Sequence, residues 1–257
     1  MVTGSSSGIG REIARELAKD GCDLVLTARR LDRLKELKGE LESRHPIEVM
    51  VIQGDLADPS TPQALYRELA AADKRINFLV NNAGYGNPRT YLDSGWIEHA
   101  SLIQVMLTSA CELTHLLLPS MVAEGYGRII NVASMAGYLP GTFGNTLYGA
   151  SKSFLIKFTE SLSLELENSG VKLCAVCPGF TYSEFHDVTG TRAALSWLPG
   201  FMWMDANTVA RQSIKAVNQG RVVYINGVIN RLVLDGAKLL PQRAALEISR
   251  RRSKMTE

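Results

Sequence analysis

The chain of 257 residues has only four cysteines, Cys22, Cys111, Cys174 and Cys177. They are too few and too scattered for the disulfide framework of a small secreted domain, and they suit a reducing compartment. Cys174 and Cys177 have C-x-x-C spacing, but they lie inside an apolar run, Val171 to Cys177, that reads as a buried strand. A metal or redox role needs a partner pair or an exposed turn, and neither is evident, so core packing is the reading and no metal site is assigned. There is no Pro/Ser/Gly-rich tract, low-complexity run or convincing internal repeat, which leaves one domain over residues 1–257. The formal net charge of +2 is too small to imply a nucleic-acid partner. No charged-then-apolar leader opens the chain and no apolar stretch reads as long enough to span a bilayer, so the expected location is cytoplasmic.

What the chain does have is 46% hydrophobic residues, and at this length one core can take in roughly 70–75% of the unfolded surface. Apolar runs alternate with helical periodicity. Strands are expected at Val2-Thr3, Asp23 to Ala28, Glu48 to Gln53, Phe78 to Val80, Arg128 to Val132, around Cys174, and at Arg221 to Ile225. Helices are expected at Gly8 to Lys19, Leu31 to Arg44, Pro62 to Ala72, Trp96 to Glu124 (with a break) and Tyr148 to Asn168. Repeated strand-helix units imply an α/β fold, a doubly wound parallel sheet in three α/β/α layers, with its ligand crevice at the carboxyl ends of the strands. The first strand is short for a central one. Either it starts upstream of Met1 or the sheet has a truncated centre.

Straight after that strand comes a glycine-rich turn, Thr3-Gly4-Ser5-Ser6-Ser7-Gly8-Ile9-Gly10. Its glycines let the backbone approach a ligand, while the helix that follows offers N–H groups and its positive dipole end to a phosphate. A dinucleotide fold that prefers NAD usually ends its second strand in an acid that takes the ribose hydroxyls. This strand ends in Arg29-Arg30, and two guanidiniums there favour the extra phosphate of NADP. The plainer alternative is a solvated charge pair that opens the next helix.

Further along, Tyr148 and Lys152 stand at i and i+4, with Ser134 upstream. Residues at that spacing share a helix face, so the ammonium is expected beside the phenol, favouring its ionised form.

With Asp55-Leu56 after the third strand, Asn81-Asn82-Ala83-Gly84 after the fourth, and Pro178-Gly179-Phe180-Thr181 after the Cys174 strand, the chain resembles the short-chain dehydrogenases/reductases over nearly its whole length. The resemblance implies that Thr3, Gly4, Ser6, Ser7, Gly8, Ile9 and Gly10 hold the dinucleotide, with Arg29 and Arg30 at the NADP phosphate. It places Asp55 and Leu56 by the adenine, and Asn82, Ala83 and Gly84 beside the cofactor. Pro178, Gly179 and Thr181 would flank the nicotinamide. Ser134 would hydrogen-bond the substrate oxygen, Tyr148 would pass it a proton, and Lys152 would hold the ribose and lower the phenol's pKa. One departure stands out. Family members commonly place an Asn on the long middle helix to complete a water relay to the lysine, and Met106 occupies that position. A thioether is a weak acceptor and donates nothing. Ser109 or Thr108 is the expected holder of a replacement water.

Beyond Thr181, to about residue 210, the sequence resembles a variable substrate lid. Phe185, Trp197, Leu198, Phe201, Met202, Trp203 and Met204 are large and apolar, with Gly190 and Pro199-Gly200 as flex points and His186 a solvated loop residue. They suit an apolar carbonyl or alcohol substrate, or else serve as core or subunit contacts. From Arg231 to Glu257 seven Lys/Arg stand against three acids, a surplus of four positive charges. This extension, from about residue 228, could pack within a homo-dimer or homo-tetramer, the plainer reading, or lie on a membrane surface. The expectation is an NADP(H)-dependent oxidoreductase interconverting an apolar carbonyl and alcohol. The alternatives are a dinucleotide-binding regulatory or scaffold protein with impaired catalysis, and an acyl-chain ketoreductase of lipid metabolism.

Overall fold

Each alternation of apolar run and amphipathic stretch becomes a strand followed by a helix. The computed structural model describes residues 1–87, 89–185 and 199–253, and of 238, 242, 248 and 251–253 the backbone alone. The strands are β1 Val2–Thr3, β2 Leu24–Ala28, β3 Val49–Gln53, β4 Phe78–Asn81, β5 Gly127–Val132, β6 Val171–Cys177, β7 Thr181–Tyr182, β8 Met204–Asp205 and β9 Val223–Ile225. The helices are α1 Gly8–Lys19, α2 Leu31–Arg44, α3 Thr61–Ala71, α4 Trp96–Ile103, α5 Ser109–Ala123, α6 Thr146–Glu165, α7 Ala206–Asn218, α8 Val228–Lys238 and α9 Gln242–Ser253.

Among the described residues, seven parallel strands pair in the order β3-β2-β1-β4-β5-β6-β9. Chain order reverses between β1 and β4, which opens a crevice at their carboxyl ends. The two-residue β1 nevertheless sits at the centre, its Val2 in register with both Leu26 of β2 and Val80 of β4. In β6, Leu173 to Cys177 are all buried, as a strand covered on both faces requires. That settles Cys174 and Cys177 as core residues, with burial pushing both thiols up to about 12.

Helices cover both faces because their apolar stripes have somewhere to go. α1 buries Ile13, Ala14, Leu17 and Ala18, and α2 buries Leu34, Leu37 and Leu41, all within one cluster with β1, β2 and β3. On the opposite face, Leu65 and Leu69 of α3 join Leu113, Leu117 and Met121 of α5. The long middle helix is interrupted, as expected, by a π turn at Gln104–Thr108. Contrary to the sequence expectation, Trp96–Ala123 is long and apolar enough to cross a membrane by length and composition. Here its Leu102, Val105, Met106, Leu113, Leu117 and Met121 are packed into the core.

The helices α7, α8 and α9 and the strands β7 and β8 are not among the elements expected from the sequence. α7 packs its Val209, Ala210, Ser213, Ile214 and Val217 inward, and the short strands β7 and β8 pair with one another. Gly190, Trp197, Leu198, His186 and Lys254 lie outside the described residues.

Candidate active site

The glycine turn takes its shape from a close approach. Gly4 has φ +63°, and a Cβ there would stand 2.9 Å from Ala83 Cα; a Cβ on Gly10 would stand 2.3 Å from Asn82 Nδ2. Glycine is what lets the carboxyl end of β4 meet the turn. Asn82 then clips the two together, its Nδ2 donating to Thr3 O at 2.9 Å and Gly4 O at 3.2 Å. The buried Thr3 hydroxyl accepts from the backbone N–H groups of Asn82 and Ala83 and donates to Val80 O. Ile9 packs inward on the first core cluster, and Gly8, at φ +56°, starts α1.

At the end of β2 the two arginines part company. Arg30 reaches the turn, its Nε and Nη2 donating to Ser6 Oγ at 3.3 and 3.1 Å and its Nη2 to Ser7 Oγ at 2.9 Å. Arg29 is exposed, and its backbone carbonyl accepts from Gln53 Nε2. The sequence reading missed two participants. Arg33, one turn into α2, and Glu184, after β7, form an ion pair, and Glu184 also pairs with Arg30 at 3.0 Å. The position of Arg33 three residues after Arg30 on a helix could have flagged it, whereas nothing local marks Glu184.

Asp55 is exposed and its Oδ1 accepts from Ala57 N–H. Leu56 is buried, and its carbonyl accepts from Ser109 Oγ at 2.9 Å. Ser109 also accepts from Gln104 Nε2, so this hydroxyl ties the β3 loop to α5 and is not the expected water holder. Thr108 is exposed.

Ser134 follows β5 and caps a short 3-10 turn, accepting from Ala136 N–H. Its Oγ also reaches the carbonyl of Pro178 at 3.5 Å, and Met135 N–H donates to the same carbonyl, which joins the ends of β5 and β6. Tyr148 and Lys152 share one face of α6. Lys152 Nζ is 5.6 Å from the Tyr148 ring centroid and donates to Val132 O at 2.7 Å. Gly179 passes so close to Asn230 that a Cβ would meet its side chain at 2.6 Å, and the buried Thr181 donates to Gly179 O. A Cβ on Gly84 would stand 3.7 Å from both Lys152 Nζ and Met106 Cγ, so the thioether side chain stands in the neighbourhood of the lysine.

The electrostatics correct one expectation. Burial raises the Tyr148 phenol above its ordinary value, and the hydrogen bond with Ser134 only partly offsets this. Lys152 is itself lowered by burial to about 8, with the Cys177 thiol pulling the other way. An i, i+4 spacing predicts proximity in water; here Lys152 is buried and Tyr148 partly buried, and desolvation is the largest influence on both.

The residues fit a dinucleotide. A turn with glycines at its points of close approach, Gly4, Gly8 and Gly10, opens α1, a guanidinium is hydrogen-bonded to its serines, and the buried hydroxyls of Ser5 and Thr27 find no partner among the described residues. Buried polar groups of this kind are normally satisfied, so these two mark a place for a polar ligand or water.

Residues 1–193 match the family described as short chain dehydrogenase. The chain is 37% identical over 187 residues to sulfoacetaldehyde reductase 2 of Chromohalobacter salexigens, covering 72% of this chain and 73% of that protein. It is 35% identical to the human very-long-chain 3-oxoacyl-CoA reductase over 70% of this chain and 58% of that one. Among solved structures, a short-chain dehydrogenase from Sphingobium yanoikuyae in complex with NADPH superposes with a TM-score of 0.81 at 32% identity, covering 92% of each chain. Sheet order, glycine turn and these likenesses agree: the chain belongs to the short-chain dehydrogenase/reductase family and is an oxidoreductase acting on CH–OH or C=O groups.

Proposed function

We propose that the protein is an NADP(H)-dependent reductase that interconverts an apolar carbonyl compound and its alcohol. The observation that carries this reading is the convergence of Ser134, Tyr148 and Lys152 beside a phosphate turn with Arg30 on its serines. The contacts of Arg30 with Ser6 and Ser7, and the ion pair of Arg33 with the same Glu184, support Arg30 and Arg33, rather than the exposed Arg29, as the residues that take the NADP phosphate. A bound nicotinamide supplies the hydride.

In the reductive direction the substrate oxygen lies between Ser134 Oγ and the Tyr148 hydroxyl. As the carbonyl carbon accepts the hydride, its oxygen becomes an alkoxide. Ser134 holds the developing charge with a hydrogen bond in place beforehand, and Tyr148 O–H transfers its proton to the oxygen, leaving a phenolate. Lys152 stands beside that phenolate and stabilises it once it forms. The raised phenol pKa keeps the donor protonated at neutral pH, which suits reduction.

The substrate lid is the segment between Thr181 and α7; the expected end near residue 210 is corrected, because Val209 and Ala210 are buried residues of that helix. The lid's apolar character is supported by Phe185, whose ring centroid is 5.5 Å from that of Tyr148, and by Trp203, stacked on Tyr182 at 5.0 Å. Fatty acyl thioesters form a second substrate reading, favoured by the likeness to the human 3-oxoacyl-CoA reductase. The test is NADPH oxidation against apolar ketones, aldehydes and acyl thioesters, with NADH in parallel. Turnover of an apolar carbonyl that favours NADPH is expected. Tight NADPH binding without oxidation of any substrate class would favour a binding protein instead.

A further inference from the structure

The three residues after β7 lie across functional regions that are far apart in the sequence. Ser183 Cβ would stand 3.2 Å from a Cβ on Gly8, so this residue packs directly on the glycine turn. Phe185 faces Tyr148. Between them, Glu184 presents one carboxylate oxygen to Arg30 Nη1 and the other to Arg33 Nη1. Arg30 Nε and Nη2 are already engaged by Ser6 and Ser7. Each of its three nitrogens therefore has an internal partner, and the Nη1 that the serines leave over is taken by the chain's own carboxylate, which also holds Arg33 Nη1.

We propose that Glu184 is a cofactor-discriminating residue: an internal anion that occupies the phosphate-binding arginines, which the extra phosphate of NADP(H) must displace. This rests on the NADP reading given above. Burial pushes the Glu184 carboxyl up, but hydrogen bonds from Arg33 and Arg30 hold it below the ordinary range, so it is ionised at neutral pH and competes as a full charge. A phosphate dianion offers three acceptor oxygens and more charge than a carboxylate, and so takes the guanidiniums. A dinucleotide without that phosphate offers only hydroxyls there and leaves both ion pairs standing. Glu184 thus lowers NADP(H) affinity and leaves NAD(H) affinity nearly unchanged, narrowing the discrimination that the arginines alone would give.

Dissociation constants measured by fluorescence titration test this with NADPH, NADH, 2′,5′-adenosine bisphosphate and 5′-AMP, on the wild type and Glu184→Gln. The glutamine keeps the shape and removes the charge. NADPH and the bisphosphate should bind roughly three- to tenfold more tightly to Glu184→Gln, about the worth of one or two partly exposed ion pairs. NADH and 5′-AMP should shift by less than about twofold, on the same reasoning. The two fragments lack the nicotinamide, so a change seen with the bisphosphate arises at the phosphate end and not from Phe185 at Tyr148. A wild type that prefers NADPH, with unchanged or weaker NADPH binding in Glu184→Gln, overturns the role of Glu184 and leaves the NADP reading intact. A wild type and a Glu184→Gln variant that both bind NADPH no more tightly than NADH overturn both. An unfolding midpoint for the variant close to that of the wild type confirms that affinities of the same fold are being compared.

Discussion

Lys152 shows at the scale of one residue how stability and chemistry conflict. Its folded pKa is about 8 against an ordinary 10.5. Between those values the unfolded chain holds the proton that the folded chain has lost, so stability rises with pH across that window. Below about 8 both states are protonated and the whole penalty, up to about 3 kcal/mol, is present. Urea unfolding of the cofactor-free protein should show this rise between pH 8 and 10. Lys152→Met should abolish the rise and be more stable than wild type at pH 7 by about 1–2 kcal/mol, after loss of the Val132 hydrogen bond, while losing activity. A flat wild-type profile would contradict the buried ammonium. Tyr148 gives a second pH signature. Its raised phenol is protonated at neutral pH, so carbonyl reduction should be nearly flat there, whereas alcohol oxidation, which needs the phenolate, should accelerate as pH rises. Rate profiles in both directions would show it. Spacing alone gave proximity to a cation and pointed to an ionised phenol; the sign turns on burial, which spacing does not carry.

At the scale of elements, two glycines make opposite predictions. Gly10 lies against Asn82 and Gly4 with no room for a Cβ, whereas Gly39 is exposed in the interior of α2 with open space around it. Gly10→Ala should destabilise by about 1–3 kcal/mol through overpacking, and Gly39→Ala should stabilise by about 0.5–1 kcal/mol through helix propensity. Thermal unfolding of the pair checks both. In the π turn, Met106 is buried and its thioether has no proton to give. Met106→Leu, which nearly conserves volume, should leave kcat within about twofold and cost less than about 1.5 kcal/mol. A large loss of kcat would assign the sulfur a part in the chemistry. The bounds of α2 were legible because Leu34, Leu37 and Leu41 stand out against charged neighbours. α7 was not, since its inward stripe includes Ala210, Ser213 and Ala216, which carry little apolar contrast. β7 and β8 are two residues each, too short for a periodicity. The partnership of Glu184 with Arg30 and Arg33 spans about 150 positions, and only the fold brings it together.

At the scale of the molecule, the strand order places the turn after β1, the clip after β4, Ser134 after β5 and the Pro178 loop after β6 along one edge of the sheet. The outer faces also carry apolar side chains, with Leu164 75% and Phe154 41% exposed on α6. These faces are the expected contact in a homo-dimer or homo-tetramer, since burying them removes apolar surface from water. Light scattering should find an oligomer for the wild type and a shift toward monomer for Leu164→Glu with Phe154→Glu. The proposed function is proton-coupled hydride transfer at this edge of the sheet, with Tyr148 as the proton donor. Its most direct test is NADPH oxidation by Tyr148→Phe, measured beside its NADPH affinity with the substrate that the wild type turns over best. The expected result is a loss of kcat of at least about a hundredfold with NADPH affinity within about threefold of wild type, under 1 kcal/mol. A variant that keeps wild-type turnover would contradict it.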